Sequence, residues 1–246
     1  MKVFSIVGFS KSGKTSTATS VITELKSRGY SVAAIKNIHT DQFTFEDSGD
    51  TQKFSDAKAD TVVGIHKNIT FQKWNKHLFL SEILRKIDAD YVVIEGLKNE
   101  PLPQIVCAKN QEELKELAGG KTIAISGLIS NNIEEYADFK VINALKEIKL
   151  LVDIIENKVF DVLPLQRKCH SCGLNCEKMT QAILMGKRKR TDCVVDAKKD
   201  LIVTVNGKEL SMIGFIQDIF SDTTKAFLKN LKGFEKGDIE IKIKNK

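Results

Sequence analysis

Val3 to Val7 is apolar except for one serine, and after a polar, glycine-containing break Ala18, Val21, Ile22 and Leu25 recur at helical spacing. The pattern predicts a buried strand over Lys2 to Val7, a helix over Gly13 to Arg28 stopped by Gly29, and a second strand over Ser31 to Ile35. Further strand-like runs lie at Thr61 to Ile65, Tyr91 to Ile94, Ile105 to Ala108, Thr122 to Ile125 and Phe139 to Ile142. Helical patterns lie near Leu78 to Ile87 and Glu112 to Leu117. Ala144 to Val159 sets Leu145, Ile148, Val152, Ile155 and Val159 at helical spacing and reads as the last helix of the unit. Strands alternating with helices predict a doubly wound α/β domain with a mostly parallel sheet over residues 1–160.

The pattern changes after the proline-containing segment Asp161 to Lys168, where three cysteines fall within eight residues and a basic run follows. A strand over Leu201 to Val205 with an Asn206-Gly207 turn, a helix capped by Ser211 and carrying Ile213, Ile216, Ile219 and Phe220, and alternating Ile239, Ile241 and Ile243 complete it. Residues 161–246 are therefore expected to form a small α+β domain.

Composition narrows the class. The chain has 246 residues, 42% hydrophobic and 28% charged, with no apolar run long enough for a membrane span and no secretory signal pattern at its start, which predicts a cytoplasmic protein. A net charge of +6 arises from 38 basic and 32 acidic side chains scattered along the chain, not from a basic stripe, so nucleic acid is not the expected partner. A chain of this length can build its core without disulfides or metal, so any metal site is functional or local.

Between the first strand and the first helix stands Gly8-Phe-Ser-Lys-Ser-Gly-Lys-Thr15, the G-x-x-x-x-G-K-[ST] pattern in the strand-to-helix context it needs. Backbone amides from Gly8, Ser10, Lys11, Ser12, Gly13 and Ser16 can converge on an anion at the positive end of the following helix. Lys14 is placed to reach the β and γ phosphates of a nucleoside triphosphate, and the Thr15 hydroxyl to ligate Mg²⁺. Tyr91-Val-Val-Ile-Glu95 brings a carboxylate out at the carboxyl end of a buried strand, where open α/β sheets bind ligands, so Glu95 is the second magnesium candidate. Lys36 and His39, with Asp41, end the second strand. The polar stretch after them contains Asp50, a candidate for magnesium or water positioning. His66 and His77 read as structural, and Trp74 as core.

Val7 to Ser16, Lys36 to Asp41, Ser48-Gly-Asp-Thr51 with Ala57 to Gly64, and Ile94-Glu-Gly-Leu-Lys-Asn-Glu-Pro-Leu-Pro103 occur in the order seen in the molybdopterin-guanine dinucleotide biosynthesis protein B (MobB) family, which residues 1–160 resemble. The resemblance implies a GTP-binding P-loop protein, commonly dimeric. Such a protein helps a MobA-like transferase attach GMP to molybdopterin in molybdenum or tungsten cofactor biosynthesis, with slow GTP hydrolysis at most. Asn37 and Thr40 stand where family members often carry histidines. No Asn-Lys-x-Asp motif is present, so guanine preference rests on the resemblance alone.

Cys169, Cys172, Cys176 and Cys193 offer four thiolates, three on one short loop. That set suits a [4Fe-4S] cluster, one thiolate per iron; Zn²⁺ is the alternative, although only one C-x-x-C knuckle is present. The segment also resembles the small iron-sulfur domain of the Rnf complex B subunit, one residue shorter between Cys172 and Cys176. Cys107 reads as a buried small hydrophobe, and Lys187 to Arg190 as a solvated basic face. The functions expected are an accessory of cofactor maturation with a redox-sensing or docking domain or, alternatively, a nucleotide-gated electron-transfer or metallochaperone protein.

Overall fold

Val3, Phe4, Ile6 and Val7 are all buried, because β1 (Lys2–Val7) lies at the centre of a five-stranded sheet and has no solvent face. The structure, a computed structural model, describes residues 1–38, 50–165 and 169–195, then 201, 203–205, 208–210, 214–235, 237, 239 and 241. After β1 come α1 (Lys14–Ser27), β2 (Val32–Lys36), α2 (Asp50–Asp56), β3 (Thr61–Ile65), β4 (Thr70–Trp74), α3 (Leu80–Leu84) and β5 (Tyr91–Glu95). Then follow β6 (Gln104–Cys107), α4 (Gln111–Leu117), β7 (Thr122–Ser126), β8 (Glu135–Tyr136), β9 (Phe139–Lys140) and α5 (Ile148–Lys158). The chain continues through α6 (Cys176–Leu184), β10 (Thr204–Val205), β11 (Lys208–Glu209) and α7 (Gly214–Leu228).

The main sheet has the order β2-β5-β1-β6-β7 with every pairing parallel. Successive β1 side chains feed opposite layers. Phe4 and Ile6 pack with Val21 and Leu25 of α1 and Leu151, Val152 and Ile155 of α5. Val3 joins Leu80, Leu84, Val92, Ile94 and Val162 on the other side. This double cover explains why β1 reads as a nearly unbroken apolar run. Arg28, just past α1, ties the first layer together by reaching Glu24, Asp153 and Glu156.

Three expectations need correction. The run Thr61–Ile65 is a strand, but it pairs antiparallel with β4 in a separate hairpin instead of joining the parallel sheet. Phe139 to Ile142 splits: β9 pairs with β8, and only Val141 bridges Ile125 in parallel fashion. The last helix of this unit begins at Ile148, not Ala144, and Leu145 is left 74% exposed. Asn143 explains the late start, because its side-chain oxygen accepts from the Leu145 amide and its carbonyl from Lys146 and Glu147, forming a turn before the helix.

Beyond residue 160 the chain stays attached to the sheet unit. Val162 donates its amide to the Met1 carbonyl, and both Val162 and Leu163 are buried. In α6, Thr180 is buried and donates to the Pro101 carbonyl at 2.8 Å, and Glu177 meets Lys121 at 3.3 Å. β10 and β11 form a hairpin; Asn206, Gly207, Ser211, Ile213 and Ile243 lie outside the described residues. No helix among the described residues is long and apolar enough to cross a membrane.

Candidate functional site

Gly8 follows β1 directly, and the loop it opens turns into α1 at Lys14. A Cβ on Gly8 would collide with the Cys107 carbonyl of β6 and with Ser12 Oγ, so only glycine lets the loop lie on the neighbouring strand. Lys11 and Gly13 both adopt the left-handed conformation, with φ of 58° and 96°, and the amide of Ser12 donates to the Phe9 carbonyl. Lys14 Nζ crosses the loop to the Phe9 carbonyl at 2.6 Å. Its ammonium group therefore already stands at the mouth of the loop. Ser10, Lys11, Thr15 and Ser16 are exposed around that mouth and Ser12 is buried beneath it.

Glu95 ends β5, beside β1 and β2, and Gly96 and Leu97 follow with φ of 103° and 55°, so the chain turns away at once. Its Oε2 accepts from the Thr15 hydroxyl at 2.9 Å, and Lys36 Nζ lies 3.4 Å from Oε1. The parallel register places Lys36 beside Glu95. Thr15, Glu95 and Lys36 thus converge at the carboxyl ends of three adjacent strands, next to the Lys14 amine. Hard oxygen donors and an ammonium group beside a bend of backbone amides can bind a polyanion together with a hard divalent cation. His39 lies outside the described residues. Asp50 opens α2, but its side chain is likewise not described.

Sequence reasoning missed Gly127. It follows β7 and packs against the loop from the far side: its Cα lies 3.1 Å from where a Cβ on Gly13 would be, and Leu128 donates its amide to the Ser12 carbonyl. The available signal was the buried run Thr122–Ser126 meeting a glycine at its carboxyl end.

Cys107 lies wholly buried beneath the loop, its thiol donating to Thr17 Oγ1 at 3.5 Å. Burial pushes this thiol up to about 12, against the opposing effects of Thr17 and Lys14. The other four cysteines are only half buried. Brief alkylation of native, chelator-treated protein should label those four and spare Cys107 until denaturant is added; peptide mass spectrometry reads this directly.

Cys176 is the first residue of α6, whose N-terminus is capped by Asn175 accepting from the Lys178 amide. Cys169 donates to Ser171, Cys172 to the Leu174 carbonyl and Cys193 to the Val195 carbonyl. Burial is the chief cause that pushes the Cys193 thiol up, Val195 and Arg190 oppose it, and the negative charge of Cys172 and Cys169 adds to it. No three His, Cys, Asp or Glu side chains among the described residues stand close enough together to hold a metal ion, so the expected ligand set is not assembled. The basic run is not wholly solvated either, because Arg190 donates to the carbonyls of Asp161 and Val162.

Residues 3–131, a little over half of the chain, match the family described as molybdopterin guanine dinucleotide synthesis protein B. A putative molybdopterin-guanine dinucleotide biosynthesis adapter protein of Methanocaldococcus jannaschii is 28% identical over 242 residues, covering 96% of this chain and 94% of its own length. A probable adapter protein of the same description from Bacillus subtilis is 24% identical over 148 residues, covering 58% of this chain and 85% of its own. The crystal structure of Bacillus subtilis MobB has the same fold, with a TM-score of 0.56 at 20% identity over 65% of this chain and 99% of that one. With its P-loop between β1 and α1 and the family's match running from β1 past β7, this chain belongs to the molybdopterin guanine dinucleotide synthesis protein B family.

Proposed function

We propose that this chain is a GTP-binding accessory of molybdenum or tungsten cofactor biosynthesis, assisting a MobA-like transferase that forms molybdopterin guanine dinucleotide, with slow GTP hydrolysis at most. The observation that carries the nucleotide part is the 2.9 Å approach of Thr15 Oγ1 to Glu95 Oε2 at the mouth of the Gly8–Thr15 loop. The names of the related adapter proteins support the pathway.

In this reading the loop amides and Lys14 grip the β and γ phosphates. Thr15 and Glu95 would hold Mg²⁺, whose oxygen-donor preference they fit, and the ion supplies neutralisation of phosphate charge. Lys36 holds the Glu95 carboxylate toward the mouth. His39 is assigned to a nucleotide contact and Asp50 to magnesium or water positioning. Slow turnover fits an accessory whose part is to hold the nucleotide rather than to consume it.

The four thiols match by chemistry the donors of a [4Fe-4S] cluster, with Zn²⁺ the alternative. Cys169, Cys172, Cys176 and Cys193 would hold it, and the group would supply one-electron redox chemistry. A second reading, nucleotide-gated electron transfer or metallochaperone work, is favoured by one contact: Cys176 opens α6, and α6 is fastened through Thr180 to Pro101 on the segment that follows Glu95.

Titration calorimetry tests the leading reading. GTP should bind the wild type with a clear requirement for Mg²⁺, and Glu95→Gln should weaken the Mg²⁺-dependent part by about tenfold, the loss of one charge-assisted contact. Equal affinities with and without Mg²⁺ in the wild type would remove Thr15 and Glu95 from the assignment.

A further inference from the structure

The geometry points to a base subsite for a purine nucleotide, formed by Asn131 and Asn143 between the exposed side chains of Leu128 and Leu145. It rests on the nucleotide reading above and says how that site distinguishes one triphosphate from another, which the missing Asn-Lys-x-Asp motif leaves open.

Two turns meet beside the phosphate loop. The first runs from Gly127 through the 3₁₀ turn Leu128–Asn131 and is joined to the loop by the Leu128 amide donating to the Ser12 carbonyl. The second is Asn143 to Lys146. It emerges next to the first because Val141 bridges Ile125 in parallel and the Ile142 amide donates to the Ile125 carbonyl, which extends the sheet by one short step. Both turns therefore leave the sheet at its carboxyl end, in the crevice that contains the phosphate loop, where open α/β folds bind ligands.

The side chains lock the turns together. Asn143 Nδ2 donates to Asn131 Oδ1 at 2.9 Å, Asn131 Nδ2 donates to the Leu128 carbonyl at 3.2 Å, and Asn143 Oδ1 accepts from the Leu145 amide at 3.0 Å. Each of these atoms is used once. Each amide nitrogen retains a second proton and each amide oxygen a second lone pair, so the pair still offers two donors and two acceptors in a fixed arrangement. Leu128 is 50% exposed and Leu145 is 74% exposed, one on each turn.

Charge says which part of a nucleotide belongs here. Lys14, Lys36 and the Thr15–Glu95 pair lie on the loop and on the β5 and β2 side. From Ser126 to Asn132 there is no charged residue, nor from Val141 to Leu145. A polyanion seated in the loop finds its countercharges on the first side. A neutral, flat heterocycle with donors and acceptors on its edge suits amides flanked by aliphatic side chains. Three residues of 3₁₀ turn carry the surface about 6 Å from Leu128 to Asn131, enough to separate an edge-reading amide from the phosphate cradle.

Calorimetric titration of the 246-residue chain with GTP, ATP, CTP and inorganic tripolyphosphate, each with Mg²⁺, tests the inference. The wild type should bind at least one purine triphosphate more tightly than CTP and tripolyphosphate. Asn131→Ala, Asn143→Ala and the surface change Leu145→Ser should each weaken that purine nucleotide by about tenfold, the worth of one hydrogen bond or apolar contact, and leave tripolyphosphate within about twofold. Leu145→Ser guards against misfolding, because that side chain is mostly in solvent. Wild-type affinities for GTP and ATP that both fail to exceed those for CTP and tripolyphosphate overturn the subsite alone, as do variants that weaken the preferred purine nucleotide and tripolyphosphate in step. No binding of any polyphosphate overturns both the subsite and the nucleotide reading.

Discussion

Replacing Lys14 by alanine is expected to lower triphosphate affinity by about 100-fold or more, since two charge-assisted hydrogen bonds of about 1.5 to 3 kcal/mol each are lost. Its amine is held 2.6 Å from the Phe9 carbonyl, so the side chain is already laid across the loop, and little ordering opposes binding. The fold should barely notice the change. Lys14 sits at the start of α1, outside the packed layers of Phe4, Val21 and Leu25, and loses one bond to a partly exposed carbonyl. Thermal melts with and without GTP and Mg²⁺ separate the two effects, because a ligand raises the midpoint only of protein that binds it. The wild type should shift upward on adding nucleotide; the variant should start near the wild-type midpoint and stay there. A variant that still shifts would mean that the amides hold the phosphates without the ammonium group.

How far the sequence reveals this molecule depends on the range of the interactions. β1, α1 and β5 were legible because burial on both faces leaves apolar runs, and because the loop between β1 and α1 carries a fixed spacing of glycine, lysine and threonine. Glu95 was legible for the same reason: a carboxylate ending such a run can only emerge at the strand's carboxyl end. The partner of β3 was not. β4 carries Phe71 and Trp74 among polar residues, and no local pattern says that Thr61 faces Trp74 instead of a parallel neighbour. The start of α5 was misplaced because apolar spacing cannot see Asn143 diverting the backbone through its own side chain. Asn131 and Asn143 are twelve residues apart, and their contact depends on a single parallel bridge between Ile125 and Val141, which leaves no periodic trace. The cysteines show the opposite limit. Their spacing is a strong local signal, yet spacing alone does not bring the thiols together: among the described residues no three of them stand close enough to hold a metal ion, and their placement depends on how α6 and Arg190 seat on the sheet unit.

Gly127→Ala is expected to cost about 3 kcal/mol or more. Gly127 has φ 86° and ψ −159°, a region open essentially to glycine, where another residue costs about 1 to 3 kcal/mol in backbone strain. Space makes it worse. The added Cβ would overlap the Ser12 carbonyl oxygen and come within 3.0 Å of the Ala108 amide nitrogen, both backbone atoms that cannot rotate aside. Relief requires either β7 or the phosphate loop to move. The Ser12 carbonyl also accepts from Leu128, so the loop is the part displaced, and nucleotide binding should fall with stability. Two glycines calibrate the result. At Gly29 the same left-handed φ, 90°, occurs in open space, so alanine there should cost about 1 kcal/mol, from conformation alone. Gly119 has neither constraint, and alanine there should change little. For a chain of this size about 3 kcal/mol lowers the melting midpoint by roughly 6 to 12 °C. Calorimetric melts should therefore rank Gly119→Ala above Gly29→Ala, with Gly127→Ala well below both. If Gly127→Ala melted with Gly29→Ala and bound GTP normally, Gly127 would not be wedged against Ser12, and the support of the phosphate loop from β7 would have to be abandoned.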